Sequence, residues 1–321
     1  MNLTTKTYST LADTLTPVSI YLKLRDLYPN SILLESNLNE KREKSHSYIC
    51  LKPLATFKAD ANGVSIITKG TSNVISDNDK EAPSLFSSFL NTFQVQGQSP
   101  LNAVFGHTNY NAIEYFETIN LGDKELDEQI PKMNYSFYQF VIEIDHFSNE
   151  IVFTEYIEEG AESQLEELIT RVQTLRFNAY PFQKIDAENC YTAPESFLKQ
   201  VEDAQQHCKE GNIFQIVISR RFTQGFKGDE FQVYRALRSI NPSPYLYYFD
   251  MGSYKIFGSS PEAQVKINDG KATINPIAGT YRRTGDYEQD QLLASHLKED
   301  PKENCVGVPQ TGTRSRERLA S

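Results

Sequence analysis

Apolar positions recur along the 321-residue chain at both helical and strand spacing, and the elements follow from which spacing holds where. Residues 1–15 read as extended or frayed. Thr16 stands as a cap before Pro17, and Ile20, Leu24 and Leu27 give the following helix an apolar side that Pro29 and Asn30 close. Ser31–Ser36 (SILLES) reads as a buried strand ending in a carboxylate, and Tyr48–Leu51 as a second strand. Ala55–Lys58 and Val64–Thr68 predict a hairpin turning at Asn62-Gly63. Residues 71–82 are polar and read as a loop. Leu85, Phe86, Phe89, Leu90 and Phe93 predict a core-facing helix, Ala103–Thr108 a strand with a glycine turn, and Tyr110–Phe116 a short helix. Phe137–Ile144 and Glu150–Thr154 read as strands paired across a turn at 145–149. A helix over Glu162–Arg176 follows, acidic early and basic late, as the helix dipole favours.

Residues 177–193 have no period and read as a linker. The next helix starts at Pro194, with Phe197, Val201, Ala204 and Cys208 predicted as one buried face and Gly211 as its C-cap. Ile213–Ser219 reads as a strand. Asp229 is placed to cap a helix holding Val233, Tyr234, Leu237 and Ile240, which Pro242 and Pro244 end. Leu246–Phe249, Lys255–Phe257, Gln264–Ile267 and Ala272–Ile274 read as a meander of strands, and Tyr287–Asp300 as a helix. The helices flank several sheets rather than alternating strictly with strands, so an α+β sandwich is expected over a doubly wound sheet.

Composition narrows the partners. Hydrophobic residues make up 39% and aromatic residues 12%, enough for a substantial core. A formal net charge of -10 repels nucleic-acid phosphates and anionic lipid, so no nucleic acid and no membrane are expected as partners. It leaves room for an anionic small molecule wherever arginines cluster. Cys50, Cys190, Cys208 and Cys305 form no C-x-x-C pair and read as reduced thiols. The histidines form no H-E-x-x-H, and no stretch has the length of a membrane span. The N-terminus lacks a signal-peptide run, which points to a cytoplasmic protein.

Four segments carry a resemblance when taken together and in order. They are Gly211–Arg221 (GNIFQIVISRR), Asn241–Tyr245 (NPSPY), Gly258–Glu262 (GSSPE) and Pro276–Arg283 (PIAGTYRR). They resemble the chorismate-utilising enzymes, most closely the anthranilate synthase component I group, and the resemblance runs from near the N-terminus to about Asn304. It implies a large mixed or antiparallel β-sandwich flanked by helices, with its C-terminal part missing. It divides the chain into an N-terminal region 1–190, the first part of a chorismate-binding catalytic domain at 191–304, and an aberrant tail at 305–321. The implied activity converts chorismate and ammonia to anthranilate and pyruvate in tryptophan biosynthesis. A glutamine amidotransferase subunit would supply the ammonia, and Mg2+ would hold carboxylates.

The same resemblance assigns roles to residues. Gln215 stands where hydrating relatives carry a lysine base, and an amide orients substrate but cannot act as a base. Ala278 stands where aminodeoxychorismate synthases carry a nucleophilic lysine. Gly279 and Thr280 match substrate-contacting positions, and Glu262 and Ala278 help to build the site. Arg220, Arg221, Arg282 and Arg283 bring positive charge to this part of the chain. ILLES and NPSPY match the two halves of a tryptophan inhibitory site. That assigns Glu35, Ser36, Asn241, Pro242, Ser243, Pro244 and Tyr245 to the inhibitor, with Ser47 a weaker candidate. Glu35 is suited to an amino acid's ammonium, and a hydroxyl to its polar groups. The two halves must meet in the folded chain. An aminodeoxychorismate synthase component I and a non-catalytic amino-acid-binding module stand as alternatives.

After Asp300–Asn304 (DPKEN) the pattern breaks. The family continues with an E-H-L-M-L-V-D segment that carries a metal glutamate; this chain reads CVGVP and then QTGTRSRERLAS. The later histidine and metal glutamates are absent from the sequence as well. A tail from a frameshift or junction is expected, with a short paralogue that binds without catalysing as the alternative. No metal site is expected to be retained, and the fragment is expected to be inactive.

Overall fold

The structure, a computed structural model, describes residues 1–36, 45–97, 101–121, 130–213, 216–268, 270–274, 282 and 284–299. Its frame is an eleven-stranded sheet. The strands are β1 (Asn2–Leu11), β2 (Ile32–Ser36), β3 (His46–Asp60), β4 (Gly63–Thr68), β5 (Thr71–Ser76), β6 (Gln94–Gln96), β7 (Phe105–Thr108), β8 (Met133–Asp145) and β9 (Glu150–Glu158). Four short strands follow, β10 (Phe182–Lys184), β11 (Asn189–Cys190), β12 (Phe222–Thr223) and β13 (Phe226–Gly228). β14 (Tyr245–Asp250) and β15 (Lys255–Ser260) rejoin the large sheet, and β16 (Lys266–Asn268) and β17 (Lys271–Thr273) form a separate hairpin.

The main order is β15-β14-β2-β3-β8-β9-β1-β6, with β4 and β5 extending the second half of β3 and β7 pairing the start of β8. Every pairing is antiparallel except β1 with β6, so the sheet is mixed. β3 and β8 are long enough to serve two neighbours in succession, and their register shifts between Pro53 and Ala55. A proline inside a central strand removes a ladder donor, and the irregularity absorbs it.

Both faces of the sheet are covered. Leu33, Ile49, Leu51, Ile142 and Phe153 point to one side, and Ile32, Cys50, Phe57, Val141 and Tyr156 to the other. Hence the central strands read as continuous apolar runs rather than as alternation. On the first face lie α1 (Pro17–Leu24), α3 (Leu165–Thr174) and α5 (Phe231–Ile240); α2 (Ala82–Leu90) lies on the second. Thr16 and Ser19 close a capping box on α1, with Pro17 in the first turn, as the sequence predicts. α4 (Pro194–Lys209) ends in Gly211 at φ +75°, whose N–H reaches the Cys208 carbonyl. α6 (Tyr287–Glu299) is the last described element.

Several expectations change. The N-terminal stretch is not frayed: β1 pairs along its whole length with β9 and buries Leu3. Part of the 71–82 loop is the edge strand β5, polar because little covers it. The linker holds β10 and β11. On α4 only Ala204 is fully buried, and Cys208 is exposed. Residues 216–220 are not a strand; Val217 is 85% exposed and pairs with no strand among the described residues. The tail at 305–321 lies outside the described residues.

Candidate functional site

Sheet register decides what meets at the end of β2. β14 runs antiparallel to β2, with Leu246 opposite Glu35 and Tyr245 opposite Ser36. α5 delivers β14 to that place. Asp229 accepts from the Phe231 N–H at 3.1 Å and starts the helix, and Asn241 caps its end through Leu237 at 2.8 Å. Pro242 and Pro244 then force an extended path into the strand. ILLES and NPSPY, far apart in sequence, are therefore neighbours.

Glu35 does not end its strand in solvent. It is buried, and Tyr234 Oη donates to Oε2 at 2.6 Å. Arg238 Nε lies 3.1 and 3.0 Å from its two carboxylate oxygens. Burial, and next the Glu35 carboxylate, push the Tyr234 phenol well above its ordinary pKa, so it remains a donor. Tyr234 and Arg238 stand four apart on one face of α5. Sequence reasoning assigned neither to the site; their i, i+4 spacing says only that they share a helix face. The Glu35 carboxylate is thus already engaged, and any ammonium would share it with Arg238. The Arg238 side chain is half-exposed and brings positive charge to the rim.

The remaining residues of this cluster are held by the backbone. The Ser36 carbonyl accepts from Ser45 Oγ at 3.0 Å. Ser47 is buried on β3, its Oγ 2.7 Å from His146 Nε2. Burial lowers the His146 pKa, with Glu35 and Asp145 acting against it. The Asn241 carbonyl accepts from Ser259 Oγ at 2.6 Å, tying the loop to β15. Ser243 is buried, its Oγ 3.5 Å from Asn241 Oδ1. Pro242 is exposed, Pro244 is half-buried, and the Tyr245 ring lies 5.0 Å from Lys266 Nζ.

Of the residues assigned to chorismate, Gln215, Ala278, Gly279 and Thr280 lie outside the described residues, as does Arg283. Glu262 is half-buried, and its N–H and carbonyl both bond Ser260 Oγ, closing a turn after β15. Arg220 lies between Phe197 and Phe222, 5.2 and 5.0 Å from their centroids, and donates to Cys190 Sγ at 3.1 Å. Arg221 lies over Tyr191, and Arg282 is exposed. Among the described residues no group of three or more His, Cys, Asp or Glu side chains could hold a metal ion.

The model of the chorismate binding enzymes matches residues 34–305, most of the chain. The chain belongs to the chorismate-binding enzyme family. It is similar to anthranilate synthase component 1 of Pseudomonas putida, with 31% identity over 92% of this chain and 63% of that protein. The Lactococcus lactis protein of the same name is 29% identical over 91% of this chain and 65% of its own length. Among solved members of the chorismate-binding family, anthranilate synthase component I of Streptococcus pneumoniae superposes with a TM-score of 0.64. That match has 26% identity and covers 92% of this chain and 65% of the other. A menaquinone-specific isochorismate synthase from Escherichia coli has the same fold at 15% identity and a TM-score of 0.59. The chain spans just under two thirds of the length of these curated relatives. No helix among the described residues is long and apolar enough to cross a membrane.

Proposed function

We propose that the chain is an anthranilate synthase component I-type polypeptide that binds chorismate and, at a separate site, tryptophan. The observation that carries this reading is the adjacency of Glu35-Ser36 and Asn241–Tyr245 across the β2–β14 ladder, in a chain of this family. Gln215 and Ala278 favour ammonia addition over hydration or covalent capture by lysine. In this reading Gly279 and Thr280 meet the substrate, and Glu262 helps to shape the wall beside it. In this reading region 1–190 carries Glu35 and Ser36, and region 191–304 carries the first part of the catalytic domain together with the NPSPY half of the inhibitory site. An amidotransferase subunit would supply ammonia.

The amino acid's carboxylate would meet the half-exposed Arg238, and its other polar groups the Ser36 hydroxyl and the Asn241–Tyr245 backbone. Occupancy there would bear on α5 and β15 together, because Arg238 holds β2 and Ser259 holds the Asn241 carbonyl.

The experiment is anthranilate fluorescence from the purified 321-residue chain with chorismate, excess ammonium and magnesium. A second protein carries an EHLMLVD-like segment and its continuation after Asn304. The reading expects turnover from the second protein and none from the first. Sustained anthranilate formation by the first at the rate of the second would contradict it, as would an extended protein that stays inactive although folded.

A further inference from the structure

Away from the effector cluster, a pocket of about 320 Å3 opens between the second half of β3, β4, the start of β8 and the β14–β15 turn. Pro53 lines it, where β3 shifts register on β8. One of its lining side chains carries a buried polar atom with no hydrogen-bond partner among the described residues. This atom is Asn134 Oδ1, on a residue 8% exposed; the buried Tyr138 hydroxyl has Ser136 beside it. The Asn134 amide is pinned: its Nδ2 donates to Tyr254 Oη at 2.9 Å, and Tyr254 Oη lies 2.8 Å from His107 Nε2. Burial lowers the His107 pKa, which leaves that nitrogen able to accept the tyrosine proton. With the amide held this way, Oδ1 has no donor among the described residues. The neighbouring Ser136 and Thr56 hydroxyls are engaged with one another at 2.7 Å. A buried polar group left unpaired costs about 1–3 kcal/mol, so a pocket that holds one beside its walls wants a partner.

Charge says what kind. The lining contains Lys58 and Lys69 and no aspartate or glutamate. By contrast, the pocket of about 840 Å3 around Lys132 is lined by Asp79, Glu114 and Glu117. Lys58 pairs with Asp60 and Lys69 with Glu158, each at 2.8 Å, both carboxylates lying outside the lining. An ammonium has three donors, so each lysine keeps others for a ligand. An amino acid fits poorly, because its own ammonium would meet two lysines and no carboxylate. A hydroxyl meets no such conflict. We propose that this pocket binds a small hydroxycarboxylate, with its hydroxyl donating to Asn134 Oδ1 and its carboxylates meeting Lys58 and Lys69 at the rim. The size is at the small end of ligand sites, with apolar walls from Pro53, Ile67 and Met251. The site shares no residue with the candidate effector cluster, so it stands or falls apart from that assignment.

Three four-carbon acids separate the terms. L-malate carries the hydroxyl, succinate lacks it, and L-aspartate replaces it with an ammonium. Calorimetry on the full 321-residue chain is expected to show saturable malate binding, with succinate and aspartate each weaker by at least about tenfold. Asn134→Leu is expected to weaken malate by a similar factor, since it removes the buried acceptor of the ligand hydroxyl. Should that variant fail to fold, Lys69→Met, at a side chain 76% exposed, still tests the carboxylate contact and is expected to weaken malate about tenfold. No saturation with malate up to about 10 mM would overturn the proposal. Succinate binding as tightly as malate would also overturn it, as would an unchanged affinity in Lys69→Met; either result would leave the pocket to water.

Discussion

Replacing Asp229 with alanine removes one carboxylate and strands one guanidinium. The carboxylate accepts from Arg25 Nη1 at 2.9 Å and Nη2 at 2.7 Å, from the Phe231 N–H and from Gln232 Nε2. Both side chains are buried, at 9% exposure for Arg25 and 7% for Asp229. Arg25 also lies 5.1 Å from the Phe231 ring centroid, so it cannot leave without disturbing α5. Breaking a buried pair from one side costs about 3–5 kcal/mol, and loss of a helix cap about 1 kcal/mol. A pocket of about 500 Å3 lined by both residues lets water reach the guanidinium, which lowers the first figure. The expected loss is about 3 kcal/mol. With a urea m-value of about 3 kcal/mol/M, the unfolding midpoint should fall by about 1 M. Adding Arg25→Met to the first mutation should recover part of that loss, because the stranded charge is then gone. A midpoint shift below about 0.3 M in the single mutant would refute the reasoning. A double mutant that loses the full sum of both single effects would refute the charge argument in particular.

Tyr234→Phe should cost about 1–2 kcal/mol, because buried Glu35 keeps only the half-exposed Arg238 as a side-chain donor; an unchanged urea midpoint would contradict this. Gly63→Ala should destabilise by about 2 kcal/mol or more, since Gly63 holds φ +106° and a Cβ there would overlap the Ser76 carbonyl oxygen; a thermal melt within a degree or so of wild type would contradict it. Burial lowers the pKa of both His107 and His146, so the unfolded chain takes up protons more readily than the folded one. Their contribution to stability is therefore complete above the unfolded value of about 6.5 and is lost as the pH falls through it. The urea midpoint should drop between about pH 7 and pH 5.5, and His146→Gln should flatten the drop; a steeper drop in that variant would show the sign to be wrong.

Local signals were legible where one chemical cause acts alone. The Thr16-Pro17 cap, the Asn62-Gly63 turn and the Gly211 C-cap each follow from a few adjacent residues. Two strands were misjudged because tertiary context decided them. β3 reads as two strands, since Lys52-Pro53 looks like an end, yet the register shift on β8 carries the strand through. β5 reads as a loop, since an edge strand covered by little shows no alternation. The reverse error falls at 216–220, where β-branched residues look like a strand but join no ladder among the described residues. At the candidate site the resemblance pointed to ILLES and NPSPY, and only the β2–β14 register puts them side by side. Nothing in the sequence period says that Tyr234 and Arg238 would turn toward Glu35 rather than to solvent; that orientation follows from how α5 seats on the sheet.

The claim that these two segments form one amino-acid site is tested most directly by tryptophan calorimetry on the 321-residue chain and on Ser36→Ala. Wild type should bind with a single saturable heat, and the variant should bind at least about tenfold more weakly with its unfolding midpoint unchanged. Equal affinity in the two proteins, or no tryptophan heat from a folded wild type, would contradict the account.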